Sequence, residues 1–117
     1  MPRDIQAVYV AGRDSPPTVI TITPTALEYS RLFGHKGLST KMLLPSTGSA
    51  FGETLYSISD AKFRGFGLSR TVTPFPDTGS YSVYGPFLIV GAAGDQEVSL
   101  TSARIAYWLS QLQLQSN

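Results

Sequence analysis

The feature that most constrains this chain is a strong strand pattern that runs almost directly into its one clear helical pattern. Tyr81, Val83, Phe87, Leu88, Ile89 and Val90 are aromatic or branched residues suited to a pleated, half-buried surface. A polar stretch follows, Gly91–Gly94 with Asp95 and Glu97. The period then changes from two to that of a helix, with Ile105, Trp108, Leu109 and Leu112 spaced i, i+3, i+4, i+7. Ser99 is the expected N-cap, its hydroxyl placed to accept a bond from an amide of the first turn. Leu100 and Tyr107 lie off this stripe and Trp108 at its edge, so the helix is apolar over more than the roughly 100° that one sheet face covers. Two explanations stand: a second copy of the chain covers the extra surface, or Trp108 covers a sheet edge. On the first, Leu100, Ile105, Trp108, Leu109 and Leu112 are dimer-interface candidates.

Upstream, Ala7–Ala11 and Thr18–Thr23 read as strands joined by the turn-rich Gly12-Arg13-Asp14-Ser15-Pro16-Pro17, an N-terminal hairpin that Pro24 ends. Ala26–Phe33 carries both patterns, and Tyr29 and Phe33 favour a strand there. Ser39–Leu44, Thr54–Asp60 and Phe66–Thr73 are further strands, the last two with one small, hydroxylated face. Gly85-Pro86 cannot sit inside a central strand and predicts a bend between Tyr81–Tyr84 and Phe87–Val90. The expectation is an α+β fold over residues 1–117, one domain with an N-terminal hairpin, an antiparallel sheet of about five strands and a C-terminal helix.

Charged residues are 15% of the chain, below the roughly 25% of an ordinary soluble domain, which suggests that much of its surface is covered. The absence of cysteine removes disulfides, thiolate zinc sites and cysteine nucleophiles. The N-terminal residues lack the continuous apolar core of a leader, and Phe87–Ala93 is too short to span a bilayer; the expectation is a soluble, unprocessed chain without a membrane partner. Net charge is +1 but uneven. Between Tyr29 and Pro74, Arg31, Lys36, Lys41, Lys62, Arg64 and Arg70 face only Glu53 and Asp60, whereas Phe75–Asn117 sets Arg104 against Asp77, Asp95 and Glu97. A basic middle fits a surface that meets a polyanion, or simply a solvated face.

Motifs of catalysis are missing. His35, between glycines, reads as a loop residue, and Gly65-Phe66-Gly67 and Gly34–Gly37 lack the setting and the lysine of a phosphate loop. Asp60 and Asp77 have no spacing that favours a carboxylate pair over two turn residues. The expectation is therefore no catalytic residue, no metal, no cofactor and no small-molecule substrate. What remains is a set of cations, hydroxyls and one ring on strand-like segments: Lys41, Tyr56, Ser57, Ser59, Lys62, Arg64, Ser69, Arg70, Thr71 and Thr73. Phosphate contacts, hydroxyl donors and a stacking ring are what single-stranded or looped RNA requires, although any wet antiparallel face carries Ser and Thr.

In order and local character the chain resembles the coat proteins of single-stranded RNA bacteriophages. Ala7-Val8-Tyr9-Val10-Ala11-Gly12-Arg13-Asp14 and Thr18-Val19-Ile20-Thr21-Ile22-Thr23-Pro24 are similar to that family's N-terminal hairpin. Thr54–Thr73 resembles the strand pair that faces the genome, and Pro74-Phe75-Pro76-Asp77-Thr78-Gly79 the loop at the symmetry axes; Phe87–Val90 and Ser99–Leu114 resemble the final strand and helix. The resemblance implies a homodimer with a continuous sheet and helices packed across the partner. It further implies assembly in the bacterial cytoplasm into an icosahedral virion shell, and binding of an RNA hairpin on the inner sheet, which in that family can repress translation. It carries RNA contacts over to Lys41, Tyr56, Ser57, Ser59, Lys62, Arg64, Ser69, Thr71 and Thr73; Arg70, alternating with Leu68 and Val72, belongs to the other side. A second reading, a small β-sandwich binding module or phage tail or adaptor subunit for protein or carbohydrate, accounts for the low charge and for Phe75, Tyr81 and Tyr84.

Overall fold

The structure is a computed structural model that describes residues 3–34, 37–44, 52–74, 79–94 and 96–113. The strands are β1 (Ile5–Val10), β2 (Thr18–Ile22), β3 (Leu38–Leu44), β4 (Gly52–Ile58), β5 (Leu68–Val72), β6 (Tyr81–Tyr84), β7 (Phe87–Ala93) and β8 (Gln96–Val98). Two helices, α1 (Ala26–Leu32) and α2 (Ser102–Gln111), complete an α+β fold, with a 3₁₀ turn over Ala61–Arg64. Six strands form one antiparallel sheet in the order β2-β1-β7-β4-β3, with β8 also on β7, while β5 and β6 form a separate ribbon.

The order follows from what each strand can tolerate at its faces. β7 is apolar throughout and takes the centre, where both faces are covered. Register places Val8 and Leu55 on either side of Ile89, and Tyr9 and Tyr56 on either side of Leu88. The first row belongs to a core with Val10, Phe87, Val72 and Val83, closed by Trp108 of α2 and by Leu112 at its C-cap; the second face packs Ile5, Ala7, Leu88 and Val90 under Tyr29 and Phe33. The centre of the sheet, covered on both sides, thus forms the middle of three layers.

Both helix ends differ from expectation. Ala26–Leu32 is a helix, not a strand, because Thr25 accepts a bond from the Glu28 amide at 3.2 Å and Tyr29, Leu32 and Phe33 share one face. At α2 the N-cap is Thr101, bonded to the Arg104 amide at 3.2 Å. Ser99 is engaged elsewhere: its hydroxyl accepts from the Gln6 amide at 2.9 Å, extending the pairing at the start of β1. The polar stretch before it is a hairpin back along β7, in which a Cβ on Gly91 would meet the Val98 carbonyl at 2.8 Å.

The bend at Gly85-Pro86 separates β6 from β7, with Gly85 at φ 73°. The expected pairing across Thr54–Thr73 does not form: β4 lies between β7 and β3, and β5 pairs with β6. Asp60 at φ 56° and Gly65 at φ 89° turn the chain out of the sheet between those strands. Leu100, Trp108 and Leu112, expected at a dimer interface, are buried against this chain's own sheet, and Ile105 and Leu109 are half-buried. The surplus apolar surface of α2 is taken up by the β5–β6 ribbon and by Glu53.

Candidate binding groove

Between the β3–β4 side of the sheet and the edge of β6 runs an open groove of about 420 Å³. Ser39 pairs with Ser57 and Lys41 with Leu55, so these four residues share the face that lines it. The 3₁₀ turn adds Asp60, Lys62 and Phe63, and β6 adds Tyr81, Ser82 and Tyr84. The Lys41 Nζ sits 3.8 Å from the centroid of the Tyr81 ring, and the Lys62 Nζ 5.7 Å from that of Tyr84. Exposed pairs of this kind hold with only about 0.5–1 kcal/mol, so each ammonium is pre-placed yet free to meet an anion.

The nine residues expected to meet RNA divide. Lys41, Ser57 and Lys62 line the groove, and Arg64 is exposed on the same turn as Lys62. Ser59 stands at the end of β4 with its amide bonded to the Gly37 carbonyl at 2.8 Å. Tyr56 faces the opposite side of the sheet, where its hydroxyl and that of Tyr29 both donate to Glu97. Ser69 is buried and donates to the Gly85 carbonyl at 2.6 Å. Thr71 and Thr73 belong to the β5 side of the ribbon, one strand beyond the groove, and Thr73 shares a 2.8 Å hydrogen bond with Ser80. Of the expected assembly loop, Phe75–Thr78 lies outside the described residues; Pro74 is buried and Gly79 exposed. His35 is outside them too.

Three polar constellations tie the elements around this groove together. Glu53 receives two bonds from Arg104, 2.7 and 2.8 Å, and a third from the Trp108 indole at 3.1 Å. Arg70, placed on the far side by its alternation, is fully buried and donates to the carbonyls of Gly12, Arg13, Ser15, Ser69 and Leu112. Glu97 ties α1, β4 and β8 through the two tyrosines, whose pKa values are pushed well above the ordinary 10 by burial and by the bond to that carboxylate. A smaller cavity of about 260 Å³ beside Glu53 and Arg104 is walled mainly by Leu44, Val98, Leu100 and glycine.

Among the described residues no three His, Cys, Asp or Glu side chains gather where they could hold a metal ion, and no helix is long and apolar enough to cross a membrane. The chain matches no family model, no curated protein and no solved structure. Of the cations marked by the charge imbalance, Lys41 and Lys62 line the groove; Ser39, Phe63, Ser80 and Ser82 line it too without a signal in the sequence, where Tyr81 and Tyr84 stand out only as exposed aromatics.

Proposed function

We propose that this chain is a structural protein that binds single-stranded RNA, of the coat kind its sequence resembles. The observation that carries the reading is the groove in which Lys41 and Lys62 are each held over a tyrosine, Tyr81 and Tyr84, among serine hydroxyls. Ammonium groups meet phosphates, hydroxyls meet phosphate and ribose oxygens, and each ring offers a face to a base once its ammonium has moved onto a phosphate. Such a strand is held by charge and stacking without base-edge readout, which suits packaging of a long RNA. In this reading copies associate through sheet edges: β3 has one strand neighbour among the described residues, so two β3 strands can pair and continue the sheet. The shell then assembles in a bacterial cytoplasm and becomes the virion.

The test joins assembly to salt dependence. Expressed in bacteria and run on a sizing column, the protein should elute early as large particles with nuclease-protected RNA. Disassembled protein should bind a labelled single-stranded oligonucleotide with affinity falling roughly 20-fold between 50 and 200 mM salt, as expected when Lys41, Lys62 and Arg64 each neutralise a phosphate. Small RNA-free species with no such dependence refute the reading. Asp60 in the same groove as Tyr81 and Tyr84 favours a second one, a carbohydrate site with a carboxylate acceptor and aromatic platforms. Sugar binding insensitive to salt would select it.

A further inference from the structure

Phe63 is 86% exposed, far beyond Leu27 at 58% and Met42 at 55%, the next large apolar side chains among the described residues. A single exposed apolar residue is ordinary on a protein surface. What sets Phe63 apart is its mounting. Asp60, a non-glycine residue, adopts a left-handed conformation at φ 56° to begin the turn, and Gly65 at φ 89° ends it. Between them Ala61 is buried, the Arg64 amide bonds the Asp60 carbonyl at 3.0 Å, and the Phe66 amide bonds the Ala61 carbonyl at 3.1 Å. Phe66 turns inward so closely that a Cβ on Gly85 would sit 3.0 Å from its ring. The turn thus anchors one phenylalanine and holds the other out at the rim of the groove, between the exposed cations Lys62 and Arg64.

We propose that Phe63 is a stacking platform for an unpaired nucleobase, with Lys62 and Arg64 placed to meet the phosphates on either side of it. The inference rests on the RNA-binding reading above and narrows its ligand to strands whose base faces are open. A duplex conceals those faces within its own stack, so it gains nothing from Phe63. Stacking on an aromatic ring contributes a factor on the order of 10 in affinity and is tolerant of sequence.

The experiment compares wild type, Phe63→Ala, Phe63→Trp and Lys62→Ala by fluorescence anisotropy with a labelled oligoadenylate and with a blunt RNA duplex, each across a salt series. Because the Phe63 side chain is in solvent, the variants should keep the wild-type circular dichroism. Phe63→Ala should lose about 10-fold on oligoadenylate at unchanged salt slope, Phe63→Trp should restore it, and neither should change duplex binding. Lys62→Ala should instead reduce the salt slope on both ligands. Salt-dependent wild-type binding that Phe63→Ala leaves intact, or weakens equally on the duplex, overturns the stacking role while the groove reading survives. A Phe63→Ala protein with unchanged RNA affinity but smaller assemblies would make the ring a contact between copies and likewise overturn it. A wild type that binds neither RNA refutes the function proposed above.

Discussion

Arg70 tests whether a buried cation can be held by backbone alone. Its guanidinium reaches the Leu112 carbonyl at 2.9 Å, Arg13 and Ser69 at 2.8 Å, Ser15 at 2.6 Å and Gly12 at 3.3 Å, and none of these acceptors is a carboxylate. Burial lowers its pKa and the charge of Asp14 raises it, so Asp14 acts on it through space. In Arg70→Met the three carbonyls of the 12–15 turn can be taken over by water, since Arg13 is exposed and Gly12 and Ser15 are half-buried. Those of Ser69 and Leu112 lie in residues that are buried and lose their partner at about 1–3 kcal/mol each. Against that, the desolvation of the guanidinium is relieved and a methionine stem fills much of the same space. The net expectation is a loss of about 2–4 kcal/mol, a large share of the roughly 5–15 kcal/mol that holds a domain together.

Arg70→Lys should be no better, and worse if the ammonium stays charged, because one nitrogen cannot reach acceptors spread across β5, the 12–15 turn and the end of α2. Urea unfolding followed by the fluorescence of Trp108, the one tryptophan and a fully buried one, measures both. The midpoint should fall in both variants with the slope unchanged, and hydrogen exchange should quicken together at the last turn of α2 and at the 12–15 turn. A fully stable Arg70→Lys would show that charge and not geometry matters. An Arg70→Met within about 0.5 kcal/mol of wild type would show that the carbonyl cage contributes nothing.

Glu53→Ala should cost about 2–4 kcal/mol, since it strips the Trp108 indole of its acceptor and leaves Arg104 the Pro74 carbonyl in place of a carboxylate. Glu53→Leu combined with Arg104→Met should cost less than Glu53→Ala alone, which a double-mutant cycle on urea midpoints will show. Gly91→Ala should destabilise by about 1–3 kcal/mol, because the new methyl meets two backbone carbonyls of the β8 end at 2.8 and 2.9 Å, whereas Gly67→Ala, with nothing within 4 Å, should be near neutral in the same assay. Tyr29 and Tyr56 ionise later in the folded than in the unfolded chain, so their contribution is whole below pH 10 and is lost as pH rises above it. Thermal melts should stay flat up to that pH and fall beyond it, and a Tyr29→Phe, Tyr56→Phe protein should lose part of that dependence.

Periodicity made the faces legible before it could say which strands were neighbours. Alternation marked Leu55 and Ser57 as sharing one side of their strand, and Gly85-Pro86 announced the break between β6 and β7. Alternation carries no information on sheet order, so nothing in Thr54–Thr73 revealed that β4 would pair with β7 while β5 left the sheet. In α1 the strand preference of Tyr29 and Phe33 competes with a capping pattern, Thr25 with Glu28, and the cap prevails in the fold. Trp108 looked like surplus surface because its partners, Glu53 and the β5–β6 ribbon, are remote in sequence. The groove was half visible for the same reason: Lys41 and Lys62 stand out by charge, but Tyr81 and Tyr84 become their partners only when β6 is laid beside the β3–β4 edge.

The place of β7 also governs the order of events as the chain is made. It is the seventh of the eight strands among the described residues, yet it is the slat on which β1, β4 and β8 all rest. While the polypeptide is being synthesised, the β1–β2 and β3–β4 hairpins can close locally, but they have nothing to join them until Phe87–Ala93 has left the ribosome. Through that interval the apolar sides of both hairpins are open to other nascent copies. A protein that meets its siblings at high local concentration therefore has its most vulnerable moment just before its central strand emerges, and slowing translation there should raise the fraction lost to aggregation.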